Sequence, residues 1–197
     1  FRSLPVVEAA LHRVGPVWRF INRQGELPEP KLPREGHVVI IGYGRVGELT
    51  GHALAQVGAP FTVIETDLER ARRLNAAGIP TIWGDAGRHE VLERAELQHA
   101  RAVVVTVPDE STALVAVAAT RAIAPGVPIL VRARTGGEIH VLRGLGATEV
   151  VVPEFEGGLE LMRQTFVALG FDPEEALHLS DAVRDIHYAA AEHDHPA

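Results

Sequence analysis

The sequence predicts an α/β fold: a doubly wound, six-stranded parallel sheet followed by additional C-terminal helices. Three observations predict it. Six short runs rich in β-branched residues alternate with stretches of helical length. The glycines of Gly42-Tyr43-Gly44-Arg45-Val46-Gly47 fall between the first run and the first helical stretch. An acid, Glu65, closes the second run. Alternation of this kind is satisfied by parallel strands joined through right-handed helical crossovers.

The elements follow in order. Residues 1–24 carry apolar side chains at roughly helical spacing, with Pro5 and Pro16 limiting any helix to short pieces. Residues 25–36, GELPEPKLPREG, hold three prolines and two glycines and read as an extended linker. Residues 1–36 are therefore expected to be a lead-in, and the ordered domain to span 37–152. Strands are expected at 38–41, 61–64, 80–83, 102–106, 128–133 and 148–152, as β-branched runs suited to burial on both faces. Helices are expected at 45–57, 67–77, 87–95, 109–123 and 136–144, with Gly58, Gly78 and Gly146 as terminators. Residues 153–197 should add two more helices and a tail. The second of these helices has Asp172 as N-cap, Pro173 at its first position and Glu174 and Glu175 in its first turn.

Composition removes several classes of function. The chain has 197 residues and no cysteine, which excludes disulfides, thiolate metal sites and cysteine nucleophiles. No run approaches the roughly 18 apolar residues of a membrane helix. The only lysine is Lys31, so no lysine-dependent chemistry can lie inside the ordered domain. The only methionine is Met162, and with Phe1 in first place the residues read as part of a longer protein. Residues 1–34 have a charge balance of +3, leaving −10 for the remainder of a chain whose net charge is −7. A basic lead-in suits anionic lipid or the inner side of a membrane protein, and equally an ordinary solvated helix. An acidic body offers no basic stripe for nucleic acid.

The glycine pattern follows a strand and opens a helix, the context that gives it meaning. Gly42 permits the tight turn, Gly44 the approach of a phosphate to the backbone, and Gly47 the close packing of helix on strand. Arg45 and Val46 then begin the helix whose N-terminus faces the anion, and Arg45 can pair with a phosphate. Glu65 lies 18 residues beyond Gly47, near the ~20 expected of the acid that bonds a ribose 2′-hydroxyl. That carboxylate favours AMP, ATP or NAD(H) and disfavours NADP. Thr66 and Asp67 follow it, and Asp67 can reach the ribose or cap the next helix. Gly84, Asp85 and Ala86 end the third strand beside the expected adenine, where Asp85 can meet the base or cap a helix beginning at Gly87. Thr106, Val107 and Asp109 end the fourth strand at the same crevice, with Asp109 also placed as an N-cap.

With these residues in place, the chain resembles the RCK/KTN (TrkA-N) domain, the Rossmann-like nucleotide-sensing module of bacterial potassium channels and transporters. The resemblance is carried by VVIIGYGRVGELTG, VIETD, TIWGDAGRHEVLERAEL, AVVVTVPDES and PILVRART, over roughly 37–152. VVPEFEGGLELMRQTFVALGF is similar to the C-terminal region of Kef-type monovalent cation:proton antiporters. The resemblance implies a cytosolic regulatory domain on the inner face of a bacterial cell membrane, covalently linked to an upstream transmembrane antiporter part. It implies a homodimer in which bound adenine nucleotide gates potassium or other monovalent cation transport. It also implies a helix that crosses to the partner, for which 172–190 is the candidate, with Leu177, Leu179, Val183 and Ile186 as anchors. Arg45, with Arg132 or Arg134, matches arginines that bind glutathione in Kef proteins. His187 stands nearest to the asparagine of that set, and a neutral imidazole cannot reproduce the paired geometry of an amide. Glutathione is therefore not carried over as a ligand.

Two other readings compete. A NAD-dependent oxidoreductase would use the same glycines. It would also need an acid–base group at a substrate carbonyl, and the Tyr-x-x-x-Lys pair is impossible with Lys31 ahead of the first strand. His89, His99 and His140 fall where exposed histidines are expected. His187, His193, Asp194 and His195 could ligate a metal, but they sit toward a chain end with no scaffold to fix them. The expectation is a sensor rather than an enzyme, with no resident metal.

Overall fold

A computed structural model describes residues 35–193 of the chain, with side chains to Ala191. The lead-in over 1–34 and the tail from Asp194 lie outside the described residues. Six strands form one sheet in the order β3-β2-β1-β4-β5-β6. They are β1 (Val38–Ile41), β2 (Phe61–Glu65), β3 (Thr81–Trp83), β4 (Ala102–Val105), β5 (Ile129–Arg132) and β6 (Glu149–Val151). Every pairing is parallel, with Val39 beside Thr62 on one flank and Val103 on the other. The helices between them are α1 (Arg45–Gln56), α2 (Leu68–Ala76), α3 (His89–Arg94), α4 (Glu110–Ile123) and α5 (Glu138–Gly144). A 3₁₀ turn at Leu97–His99 precedes β4, and α6 (Pro153–Ala168) and α7 (Pro173–His193) follow β6.

All the expected elements form, and the shifted ends have physical causes. Pro80 and Pro128 fall outside the strands because they lack the N–H that a ladder needs. Their carbonyls still accept from Val63 and Val103 at the entry to the sheet. Thr106 leaves β4 because its hydroxyl turns back onto the carbonyl oxygens of Gly42 (2.7 Å) and Ile41 (3.3 Å). The third helix begins at His89 rather than 87, since Asp85 Oδ1 accepts from the Gly87 N–H at 2.8 Å and holds 85–88 as a turn. The expected terminators Gly58, Gly78 and Gly146 all adopt positive φ, at 68°, 82° and 102°.

Alternation along the central strands divides the core. Val39, Ile41, Ile64, Val103, Val105, Ile129 and Val131 join the larger cluster, which includes side chains of α3, α4 and α5. Ile40, Tyr43 and Val63 form the smaller one, with Leu54, Leu74 and Ile79 packed against it from the side of α1 and α2. Each fully buried aliphatic side chain contributes about 1.5–3 kcal/mol, so the doubly covered centre is the stiffest part of the sheet. That stiffness fixes the strand ends from which the functional loops depart.

Arg121 ties the sheet's far side together. From α4 its guanidinium donates to the carbonyls of Gly146, Pro125 and Val127 at 2.6, 2.5 and 3.0 Å. It thereby joins the loops that enter β5 and β6.

The last helix packs on its own chain, against α5 and α6. Ala176 and Ser180 are buried, and Asp172 caps it by accepting from the Glu174 N–H at 2.8 Å. Within this one chain, residues 173–193 lie against α5 and α6. Leu177, Leu179, Val183 and Ile186 nevertheless remain exposed, Ile186 to 70%. Among the described residues no helix is long and apolar enough to cross a membrane.

Candidate functional site

The sheet order reverses between β1 and β4, and a crevice opens above the carboxyl ends of these neighbouring strands, as such sheets require. Three glycines shape its floor for three separate reasons. Gly42 sits at φ 88°, a conformation closed to most side chains, and its N–H donates to Ile64 O at 2.8 Å. Gly47 is buried, and a Cβ there would run into the Gly42 carbonyl oxygen and sit 2.8 Å from Thr106 Oγ1. Gly44 has ordinary dihedrals (φ −81°, ψ −164°), and a Cβ there would meet no atom within 4 Å. No contact within the chain demands glycine at 44, and the space beside it opens into the crevice.

Glu65 ends β2 beneath this turn, 4% exposed. Its Oε2 accepts from the Tyr43 N–H at 3.0 Å and from Arg70 Nη1 at 3.2 Å, and its Oε1 accepts from the Asp67 N–H at 2.9 Å. The carboxylate therefore clamps the glycine turn to the start of the next loop. With two lone-pair directions on each oxygen, three donors leave it room for one more, such as a hydroxyl. The Tyr43 ring itself turns down into the smaller core beside Gly51. Burial, with Glu48 adding to it, pushes its phenol pKa up. Only the backbone of Tyr43 serves the Glu65 clamp.

The resulting cleft has a volume of about 920 Å³. Gly42, Tyr43, Gly44, Arg45, Val46, Glu65, Thr66, Asp67, Thr106, Val107 and Arg132 line its walls. Gly47 lies buried beneath it. Gly84, Asp85 and Ala86 do not line it: Gly84 donates its N–H to the Glu65 carbonyl at 3.0 Å, Asp85 is used by Gly87, and Ala86 is buried. Trp83 contributes indirectly, its Nε1–H donating to Thr66 O at 3.0 Å and bracing the 65–67 turn.

Asp67 and Asp109 both cap helices. Asp67 accepts from the Arg70 N–H at 2.8 Å, and that bond, with the guanidinium of Arg70, lowers its pKa. Asp109 accepts from Ser111 Oγ, Thr112 Oγ1 and the Thr112 N–H, which hold its pKa down at about 2. It stands beside the cleft, in a depression shared with Arg132 and Arg134.

Sequence reasoning missed Glu48, Leu49, Arg70, Pro108, Pro153 and Glu154 on the cleft walls. Arg70 was findable, since it follows Glu65 by five residues in the first turn of a helix. Glu154 gave no such signal, because its place depends on β6 lying beside β5. It accepts from Arg132 Nη2 at 2.8 Å. Its pKa is lowered by its own backbone N–H first, then by Arg132 and Arg45. Cations stand on both walls: Arg45 at the start of α1 and Arg132 at the end of β5. His187, the nearest counterpart of the glutathione-binding asparagine, is packed away from the cleft. Its ring stacks on Phe155 with centroids 3.7 Å apart. His89, His99 and His140 are exposed, and no metal-ligating cluster occurs among the described residues.

Comparison with known proteins agrees with the fold. The family model described as the TrkA-N domain matches residues 38–153. The chain is 35% identical over 130 residues to the cation/proton antiporter YbaL of Escherichia coli strain K12, covering 65% of this chain and 23% of that protein. It is 31% identical over 158 residues to the K(+) efflux antiporter KefB of Alkalimonas amylolytica, covering 78% of this chain and 24% of that protein. The chain thus spans about a quarter of the length of these relatives. Among solved structures, the TrkA-N domain of the Escherichia coli inner membrane protein ybaL is 33% identical, with a TM-score of 0.61 over 68% of this chain and 96% of that one. The AMP-bound Kef C-terminal domain of Shewanella denitrificans shares the fold at 23% identity, with a TM-score of 0.68 over 80% of this chain and 96% of that one. The GsuK channel bound to NAD shares it at 19% identity, with a TM-score of 0.64 over 80% of this chain and 29% of that one. With a six-stranded Rossmann-like sheet, its glycine turn and a matching family model over 38–153, the chain belongs to the TrkA-N family.

Proposed function

We propose that this chain is the ligand-sensing regulatory domain of a bacterial potassium or other monovalent cation:proton antiporter, and that it binds an adenine nucleotide in the cleft above β1 and β4. The observation that carries the reading is the pairing of Gly44 with Glu65. Open space at Gly44 lets a phosphate reach the backbone at the start of α1, and a buried carboxylate stands ready for a ribose hydroxyl. Arg45 and Arg132 supply positive charge for the phosphates, and Thr66, Asp67 and Arg70 border the nucleoside side. Similarity to an AMP-bound Kef domain and a NAD-bound channel supports the same class of ligand. Glu65 disfavours NADP, since a 2′-phosphate would be brought against a carboxylate.

In this reading the domain acts by binding, not turnover. It sits on the cytoplasmic face of the cell membrane, attached to a transmembrane antiporter part upstream, and works as a homodimer. The exposed Leu177, Leu179, Val183 and Ile186 of α7 supply the dimer contact. Ligand changes transport only through its different affinity for the domain's two states.

Equilibrium titration with AMP, ATP, NAD⁺, NADH and NADP⁺ tests the reading. Saturable binding of at least one of the first four, with NADP⁺ weaker, is expected. Binding of none would end it, and nicotinamide-dependent turnover of a substrate would favour an oxidoreductase instead.

A further inference from the structure

The cleft already contains an anion of its own. Glu154, the second residue of α6, reaches the end of β5, where Arg132 Nη2 donates to it at 2.8 Å. The Arg132 side chain is only 15% exposed, and its Nε is buried without a hydrogen-bond partner among the described residues. Glu154, by contrast, is 60% exposed and leans into the cleft from its rim. Arg132 is thus a largely buried cation, with its Nε unpartnered among the described residues, holding an exposed carboxylate.

The same turn of α6 is gripped from behind by α7. The Val152 N–H donates to Tyr188 Oη at 3.2 Å, and Tyr188 Oη donates to Glu156 Oε1 at 3.1 Å. Arg184 Nε donates to Glu156 Oε2 at 3.0 Å. Five consecutive residues, 152–156, therefore connect the cleft's arginine to the last helix.

We propose that Glu154 is an internal stand-in for the ligand's phosphate: it pairs with Arg132, an incoming phosphate displaces it, and release of this turn reaches α7 through Tyr188 and Arg184. The proposal rests on the nucleotide reading above and adds the route by which binding is transmitted. A phosphate carries more charge than a carboxylate and offers more acceptor oxygens to a guanidinium fork, so it wins the exchange. An exposed carboxylate returns to water at little cost. The two states of the domain then differ in which anion Arg132 holds, which supplies the differential affinity that any ligand-driven switch requires.

The test uses the 197-residue chain and its Glu154→Gln and Tyr188→Phe variants. Calorimetry with AMP is paired with hydrogen exchange of the amides of α6 and α7. Glu154→Gln should bind AMP about two- to fivefold more tightly, the scale of one exposed ion pair removed from competition. Its α6 and α7 amides should exchange faster without ligand and change little on adding AMP. Tyr188→Phe should bind AMP as the wild type does, while its α7 amides lose their response. If the wild type binds AMP but Glu154→Gln matches it in affinity and in exchange, the switch is wrong and the nucleotide site stands. If the wild type binds none of AMP, ATP, NAD⁺ or NADH, the site reading fails and the switch falls with it.

Discussion

At the scale of single residues, the three glycines of one motif separate into structural and functional parts. Gly47 is demanded by the chain, because a Cβ there collides with the Gly42 carbonyl oxygen. Gly47→Ala should therefore cost about 3 kcal/mol, the upper range of overpacking, read as a lowered urea midpoint. Gly44 is free of such contacts, so Gly44→Ala should leave the unfolding free energy within about 0.5 kcal/mol of wild type. Glu65 mixes the two roles. Its carboxylate takes backbone N–H groups from both Tyr43 and Asp67, so Glu65→Gln should lower stability and nucleotide affinity together. The glycines and the acid were legible in the sequence as a spaced pattern, although only Gly42 is required by its positive φ and Gly47 by close packing. The Tyr43 ring direction and the Glu154–Arg132 pair were not, since both depend on which elements the fold brings together.

At the scale of elements, helix capping and loop ties carry the testable energetics. Arg121 satisfies the carbonyls of Val127 and Gly146, in the loops that enter β5 and β6. Arg121→Ala should destabilise the chain by about 2–3 kcal/mol, the range for hydrogen bonds to a charged group together with the carbonyls left unpaired, measured by denaturant unfolding. The N-cap carboxylate of α4, Asp109, is depressed to about 2 by donors that exist only when the helix is formed. A folded pKa below the unfolded value means its contribution is complete above about 3.9 and is lost as pH falls through about 2. Acid unfolding followed by circular dichroism should show wild type losing this contribution as pH falls below about 3.9, a pH dependence that Asp109→Asn lacks, and neither protein should show a pH dependence from this group near neutrality. The alternation of strand and helix was readable from β-branched runs. Strand ends at Pro80, Pro128 and Thr106 shifted because ladder donors and a hydroxyl contact, invisible to periodicity, decide them.

At the scale of the whole molecule, an apolar stripe on α7 remains uncovered while its other side packs on α5 and α6. Ile186, 70% exposed, shares one side of α7 with Leu179 and Val183. Ile186→Glu should shift a dimer toward monomer in sedimentation velocity without lowering the unfolding midpoint. A monomeric wild type would remove the dimer from the account. The fold class was legible because glycine turn, acid and strand rhythm all agreed, whereas the packing of α7 was not, since an amphipathic pattern states which face is apolar and not what covers it. The central claim is that the cleft above β1 and β4 takes an adenine nucleotide whose phosphate needs the space at Gly44. Calorimetry of AMP binding to wild type and Gly44→Ala tests it most directly. The account predicts at least a tenfold loss of affinity in the variant, about 1.4 kcal/mol or more, with unfolding unchanged. Equal binding by the two proteins would contradict it.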